Sequence, residues 1–239
     1  MLSATDLKQC RHCGETLAGK YCSNCGEPAA VKRITIHSLL HDVFHFFTHL
    51  DKGFGFTVKE LLLHPGTMQR RFIAGDRSRY QKPFSMFFIC ASIDALLRYW
   101  ILTALEKYYH TGNEAQTHFF HQYLVLTHIL MMPLYVLIAW AIFYKPKYNY
   151  AEIGILVLYN TSFFFLIVAL LFIPKLVWHY YDTAWSELVV IAVYNAITFI
   201  NFYSEENKLL IIFKSLIAVT LTFALANYTE DLLTKLMGG

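Results

Sequence analysis

Residues 153–174 read IGILVLYNTSFFFLIVALLFIP, a run without a single acidic or basic side chain. Coiled into a helix, such a run extends about 33 Å, enough to cross a hydrocarbon core of about 30 Å. Four more segments share its character, and the expected spans are Phe84–Ala104, Gln122–Tyr144, Ile153–Pro174, Trp185–Tyr203 and Leu209–Tyr228. The fourth is the weakest, because Glu187, Asn195 and Asn201 dilute it and an embedded helix that does not span would read the same way. The whole composition agrees. Of 239 residues, 56% are hydrophobic and 15% charged, where soluble domains run near 45–50% and about 25%. With a mean hydropathy of +0.40, the chain reads as an all-α polytopic membrane protein and not as a soluble enzyme. Backbone groups in lipid must be satisfied within their own segment, so the spans are helices.

Charge divides the chain near Pro83. Residues 1–83 carry 12 Lys/Arg and 7 Asp/Glu, and residues 84–239 carry 8 and 10. A basic segment directly before the first span is explained by topology and anionic lipid, and no nucleic-acid partner is expected. Residues 1–30 lack the apolar core of a cleavable signal peptide, so the N-terminus is expected in the cytoplasm. Five spans then put 15 basic residues inside and Lys107, Lys175 and Lys235 outside, with the C-terminus extracytoplasmic. Trp100, Tyr144, Trp178 and Trp185 stand near the ends of these spans, as interfacial aromatics do.

Ahead of the spans, Cys10 and Cys13 form one Cys-x-x-Cys pair and Cys22 and Cys25 another, each followed by a glycine, Gly14 and Gly26. Two residues between cysteines aim both sulfurs at one ion from a tight turn, and the glycine supplies the positive φ such a turn needs. Gly19 and Tyr21 suit a short hairpin between the pairs. The spacing predicts a zinc ribbon over residues 1–30, in preference to two disulfides or a redox pair, since the cytoplasm is reducing. Four protein ligands leave no open position, so the zinc is structural. Cys90, inside the first span, reads as a small core residue.

Residues 31–83 form an amphipathic helix and a basic juxtamembrane linker. Over Ile34–Phe56, Ile36, Leu39, Leu40, Val43, Phe47 and Leu50 make an apolar arc, and His37, His41, His45 and His49 lie opposite it. Histidines four apart can chelate one ion, which makes this stripe a possible second metal site. An interfacial helix with its imidazoles near headgroups explains it equally simply and is preferred, because no third ligand is identifiable. Farther on, Pro65 and Gly66 interrupt one helix and Gly75 ends the next. Arg70, Arg71, Arg77, Arg79 and Lys82 follow within thirteen residues, a basic stretch suited to anionic headgroups. Arg71, Arg77 and Arg79 are the candidate phosphate clamp.

Residues 84–239 hold the five-helix domain. Asp94 and Arg98 are four apart in the first span, and Lys214 in the fifth is a candidate third member of an intramembrane polar group. Such charges either fix orientation as an ion pair or line a path for ions, protons or headgroups. Asn160, Asn195 and Asn201 are candidates for hydrogen bonds between helices. Small residues are sparse in the spans, so no close-packed dimer face stands out and oligomerisation stays open.

Taken together, CRHCGETLAGKYCSNCGE, RITIHSLLHDVFHFFTHLDKGFGFTVKELLLHPG and RRFIAGDRSRYQKPFSMF resemble an uncharacterised bacterial family of zinc-ribbon integral membrane proteins, a domain of unknown function. The resemblance covers about residues 10–90. It implies a bacterial inner-membrane location with the ribbon in the cytoplasm, and it transfers no catalytic residues. Topology is also distantly similar to that of Yip-type membrane proteins, which act through partners.

Three functions follow as expectations. The first is a non-enzymatic scaffold that recruits a cytoplasmic or membrane protein partner through the ribbon. The second is a transporter or scramblase of lipid or ions using Asp94, Arg98 and Lys214, and the third a metal-dependent membrane enzyme using His37–His49. Against the third, the chain contains no His-His pair of the kind membrane iron enzymes use.

Overall fold

A computed structural model describes residues 9–10, 13–26, 28–30, 33–38, 53–109, 122–144 and 147–238. Among the described residues there is no strand. The helices described from residue 54 onward are α1 Phe54–Leu63, α2 Thr67–Ala74, α3 Pro83–Tyr109, α4 Leu124–Ile142, α5 Tyr150–Phe172, α6 Ala184–Phe202 and α7 Lys208–Gly238, with a 3-10 turn, Ile173–Leu176, extending α5. Five segments are long and apolar enough to cross a membrane: Pro83–Tyr109, Leu124–Ile142, Tyr150–Leu176, Ala184–Phe202 and Lys208–Leu236. They fit a multi-pass membrane protein. The fourth segment is a full 19-residue helix in spite of its polar residues. The first is longer than its sequence reading, so Trp100 lies within α3, 66% exposed on its outer side.

The central helix is α5. Apolar on nearly every face, it packs against α3, α4 and α6, while α7 closes the far side against α4 and α6. Its start is fixed by a capping box: Asn149 accepts from the Glu152 N–H at 2.8 Å, and Glu152 accepts from the Asn149 N–H at 2.9 Å.

Helices α3 and α5 are offset along their axes. Tyr159, well inside α5, donates to the carbonyl of Gln81, which precedes α3, at 2.6 Å, and Phe87 meets Phe165 with ring centroids 5.6 Å apart. With 1.5 Å of rise per residue, α5 starts on the order of 10 Å nearer the ribbon than α3 does. The hairpin of α1 and α2 fills the space so left, packing on α5 and α6. Leu61, Met68 and Phe72 are buried there, and Leu62 and Leu63 face outward. The segment expected as a juxtamembrane linker is therefore a helical hairpin set beside the first turns of α5.

Gly66 makes the tight corner of this hairpin. It has φ +80°, and a Cβ at this position would stand 2.1 Å from the carbonyl oxygen of Thr198 and 2.8 Å from the nitrogen of Phe202. Only glycine lets the corner approach α6 so closely. Asn201 locks the contact by donating to the Pro65 carbonyl at 2.9 Å. At the other end of α2, Gly75 takes φ +117° and donates to the carbonyls of Arg71 and Phe72, a left-handed cap.

Candidate metal centre and buried polar clusters

Each Cys-x-x-Cys pair folds as a knuckle. The N–H of Gly14 bonds to the Cys10 carbonyl at 2.9 Å and that of Gly26 to the Cys22 carbonyl at 3.0 Å, and both glycines take φ +75°. One isolated antiparallel bridge flanks each knuckle, Gln9 with Thr16 and Tyr21 with Pro28. Between the two bridges the chain bends at Gly19 and Lys20. All four sulfurs lie within 4.8 Å of one another. Cys10 faces Cys25 and Cys13 faces Cys22, each at 3.5 Å, across the two knuckles. That separation is far beyond a disulfide bond of about 2.05 Å, and no disulfide joins any of the cysteines. In a tetrahedral site with metal–sulfur bonds of about 2.3 Å, sulfurs stand about 3.8 Å apart, so the four fit one metal ion with modest adjustment. The Cys22 thiol is lowered to about 7, chiefly by the N–H of Cys25 and, against burial, by the N–H of Asn24 and the Cys13 and Cys25 thiols. A thiolate available at neutral pH is the form that ligates.

The ribbon is tied to the bundle at the start of α5. Arg33 donates from Nε and Nη2 to Glu152 at 3.0 and 3.2 Å and from Nη2 to the Lys147 carbonyl at 3.0 Å, while Asn149 donates to the Ile34 carbonyl at 2.9 Å. Pairing with Glu152 holds the Arg33 guanidinium above its ordinary value. Asn149 and Glu152 were missed in the sequence, although Asn-x-x-Glu before an apolar run is a readable helix start.

Under α3, neutral side chains form a relay. Gln69 accepts from the Gly66 N–H at 2.7 Å and donates to Asn160 at 3.0 Å; Asn160 donates to Asn195 at 3.0 Å, and Asn195 to the Ile191 carbonyl at 3.0 Å. Tyr194 donates to the Leu61 carbonyl at 3.1 Å. Asn160, Asn195 and Asn201 thus join the helices and the hairpin. Beside the relay, α4 to α7 enclose a cavity of about 90 Å³ lined by His128, Asn160, Asn195 and Thr222 among apolar side chains. His128 donates from Nδ1 to the Leu124 carbonyl at 3.1 Å.

Toward the opposite end, Arg98 donates from Nε to both Asp94 oxygens at 3.1 Å and from Nη2 to Glu187 at 3.2 Å. Its guanidinium lies 4.7 Å over the Phe172 ring, and Glu230 of α7 is in electrostatic reach. Asp94 and Arg98 are brought together as the four-residue spacing implied, but Lys214 does not join them. It sits 5.9 Å from the ring of Phe143, toward the ribbon end of α7, and Glu187 takes the third place. Glu187 lies eighty-nine residues from Arg98 in sequence, and only helix packing brings the two together.

Each residue of the candidate clamp, Arg71, Arg77 and Arg79, is engaged by the protein itself. Arg71 faces Glu60 at 3.9 Å, Arg79 bonds to Asp76 at 3.0 Å and lies over Phe56 and Tyr80, and Arg77 donates to the Phe72 carbonyl at 3.1 Å. Arg70 turns the other way, to the Ser204 hydroxyl at 2.6 Å. Lys82 stands half-buried just before α3. Of the histidine stripe, His37 is exposed in the helical residues 36–38, and His41, His45 and His49 lie outside the described residues. Cys90 is fully buried in the core.

Residues 51–93 match a family described as a protein of unknown function (DUF3667). This stretch is the hairpin and the first part of α3, the region seated against α5 and α6. Neither the curated proteins nor the solved structures contain a match to the chain.

Proposed function

We propose that the chain is a non-enzymatic scaffold of the bacterial inner membrane that holds a structural zinc ribbon on the cytoplasmic face and recruits a protein partner there. The observation that carries this reading is the closed set of four sulfurs, which uses every position of a tetrahedral ion and leaves none for substrate. A module of this size has too little core to fold alone, so the ion supplies its fold. The ribbon also presents a surface suited to docking. Tyr21 is 66% exposed, and a cleft of about 1050 Å³ opens between residues 17–21 and 28–30 of the ribbon and Gly75 and Arg77 of the bundle. The basic excess before the first span and the basic loops that share its side support the cytoplasmic placement.

The test is a photo-crosslinking residue at Tyr21 in cells, in the wild-type background and in a Cys22→Ser, Cys25→Ser variant. A discrete protein adduct that needs the cysteines is expected. Identical adducts in both backgrounds would remove the ribbon from the recruiting role.

A second reading, transport of ions or lipid, is favoured by the charges around Arg98, where two bonded carboxylates share one guanidinium. Asp94→Asn in reconstituted vesicles should then abolish flux while the protein stays folded. Unchanged flux would end that reading.

A further inference from the structure

On α6, Glu187, Ile191, Asn195 and Phe199 recur every four residues, and on α7 Ala218, Thr222, Ala226 and Glu230 do the same. Residues four apart share a helix face, so the two faces form one seam. Its middle is the cavity of about 90 Å³, which Ile191, Asn195, Thr222 and Ala226 line. Its far end is the charged group, since Glu187 and Glu230 stand one turn, about 6 Å, beyond Ile191 and Ala226. At the ribbon end Phe199 closes it, stacked on Phe143 with centroids 4.2 Å apart.

The size of the cavity decides what it holds. At about 90 Å³ it is smaller than the cavity of about 150 Å³ that takes up a benzene, and it equals about three waters at roughly 30 Å³ each. Its lining offers such waters both donors and acceptors. Asn160 and Asn195 each use one amide N–H within the relay and retain a second. The Thr222 hydroxyl donates to the Ala218 carbonyl at 2.9 Å, which leaves its oxygen to accept. His128 is the titratable member. With Nδ1 donating to the Leu124 carbonyl, the neutral ring carries its lone pair at Nε2, to which none of the described residues bonds. Unlike the Tyr203 and Ser215 hydroxyls, which are sealed without partners, that nitrogen of the half-buried His128 keeps accessible surface.

At the far end Arg98 meets three carboxylates, Asp94 and Glu187 through hydrogen bonds and Glu230 through electrostatics. Lys175, the next cation, lies 4.9 Å over the Phe172 ring with Asp182 in electrostatic reach, and Asp231 stands exposed beside Glu230. One guanidinium among three carboxylates leaves negative charge in excess within an apolar bundle, a costly state that an added cation relieves. Among the described residues only the four cysteines bring three or more metal-ligating atoms within 4.8 Å of one another, so these carboxylates do not converge on a metal ion. A proton needs no such convergence.

We propose that the ion of the transport reading is the proton, carried through a hydrated cavity by His128. The carboxylate of Glu187 or Glu230 takes a proton from the medium and passes it to a cavity water, and that water protonates Nε2 of His128. The imidazolium, its Nδ1–H still bonded to Leu124, releases the proton from Nε2 to the next water, toward Asn195 and Thr222, and the neutral ring is restored. Only O–H and N–H bonds are made and broken. The stack of Phe143 and Phe199 holds these waters back from the ribbon side and limits the rate. The assignment rests on the transport reading and not on what the ribbon recruits.

The full chain, reconstituted in vesicles of phosphatidylethanolamine and phosphatidylglycerol with a trapped pH dye and driven by a potassium diffusion potential, tests it. Sodium flux and lipid scrambling are followed in parallel. Wild type should move protons well above protein-free vesicles. His128→Gln, which cannot take up a proton, and Ala226→Leu, which fills the cavity, should each cut that flux by about tenfold or more while eluting and melting as folded protein. One variant changes chemistry and the other volume, so a folding failure in either leaves the other decisive. Phe199→Leu, which thins the seal, should raise the flux. Proton flux that persists in folded His128→Gln or Ala226→Leu would overturn the path through the cavity. Sodium or lipid flux lost in Asp94→Asn, without proton flux, would overturn the inference and leave the transport reading standing. No flux of any kind would overturn both.

Discussion

The two ends of the helical bundle bury polarity in different currencies. Near the ribbon a relay of neutral carboxamides runs from Gln69 through Asn160 to Asn195, each member using its donors and acceptors on a neighbour, while the buried carboxylates there, Asp76 and Glu152, pair with arginines that reach the surface. At the opposite end the polar groups are charged, with Arg98 shared between Asp94 and Glu187. A neutral relay fixes position at modest desolvation cost, which suits a hairpin that must be seated. A buried ion group is costly to assemble and more costly to leave half made. The first arrangement explains how the hairpin is held, and the second marks the part of the membrane domain with chemistry to spare.

The largest effect expected falls on the hairpin's corner. Gly66→Ala puts a methyl 2.1 Å from the Thr198 carbonyl oxygen and imposes a left-handed backbone on alanine, so α1 and α2 should unseat at a cost of at least about 3 kcal/mol. Loss of folded protein in size-exclusion profiles checks it, and a wild-type profile would show the corner is not so tight. Next comes Arg98→Gln, which strands the buried Asp94 carboxylate and the half-buried Glu187 and should destabilise by about 3–5 kcal/mol. Adding Asp94→Asn and Glu187→Gln to it should recover most of that loss in thermal melts. If the triple variant is no better than the single one, the charges are not coupled as the geometry implies.

Smaller still is Gln69→Leu, which leaves the Gly66 N–H and one Asn160 oxygen without partners and should cost about 1–3 kcal/mol. Faster hydrogen exchange confined to α1 and α2 would distinguish it from a general loss of stability. Smallest for the bundle is Cys22→Ser, Cys25→Ser: the ribbon should unfold while the melting temperature of the helices shifts by no more than about 2 °C, since the ribbon is joined to α5 through the local contacts of Arg33 and Ile34. A larger shift would make ribbon and bundle one cooperative unit.

What the sequence made legible was local. Apolar runs of helical length marked the five membrane-crossing helices, and Cys-x-x-Cys with its glycines marked four sulfurs that do gather. The four-residue step from Asp94 to Arg98 is likewise a property of one helix. Glu187 was not legible as the partner of Arg98, nor Lys214 as a bystander, because that pairing depends on how α3, α6 and α7 register against one another. The same reason hid the hairpin beneath α3. Pro65, Gly66 and Gly75 announced two short helices, yet their seating follows from the offset between α3 and α5, which no run of residues encodes by itself.

The measurement that bears most directly on the central claim is elemental analysis of the detergent-purified chain beside its Cys22→Ser, Cys25→Ser variant. One zinc per chain in the wild type and none in the variant is the expected result, giving a ribbon folded by its metal and a membrane domain without one. Zinc or iron persisting in the variant would contradict it and return the chemistry to the histidines His37, His41, His45 and His49.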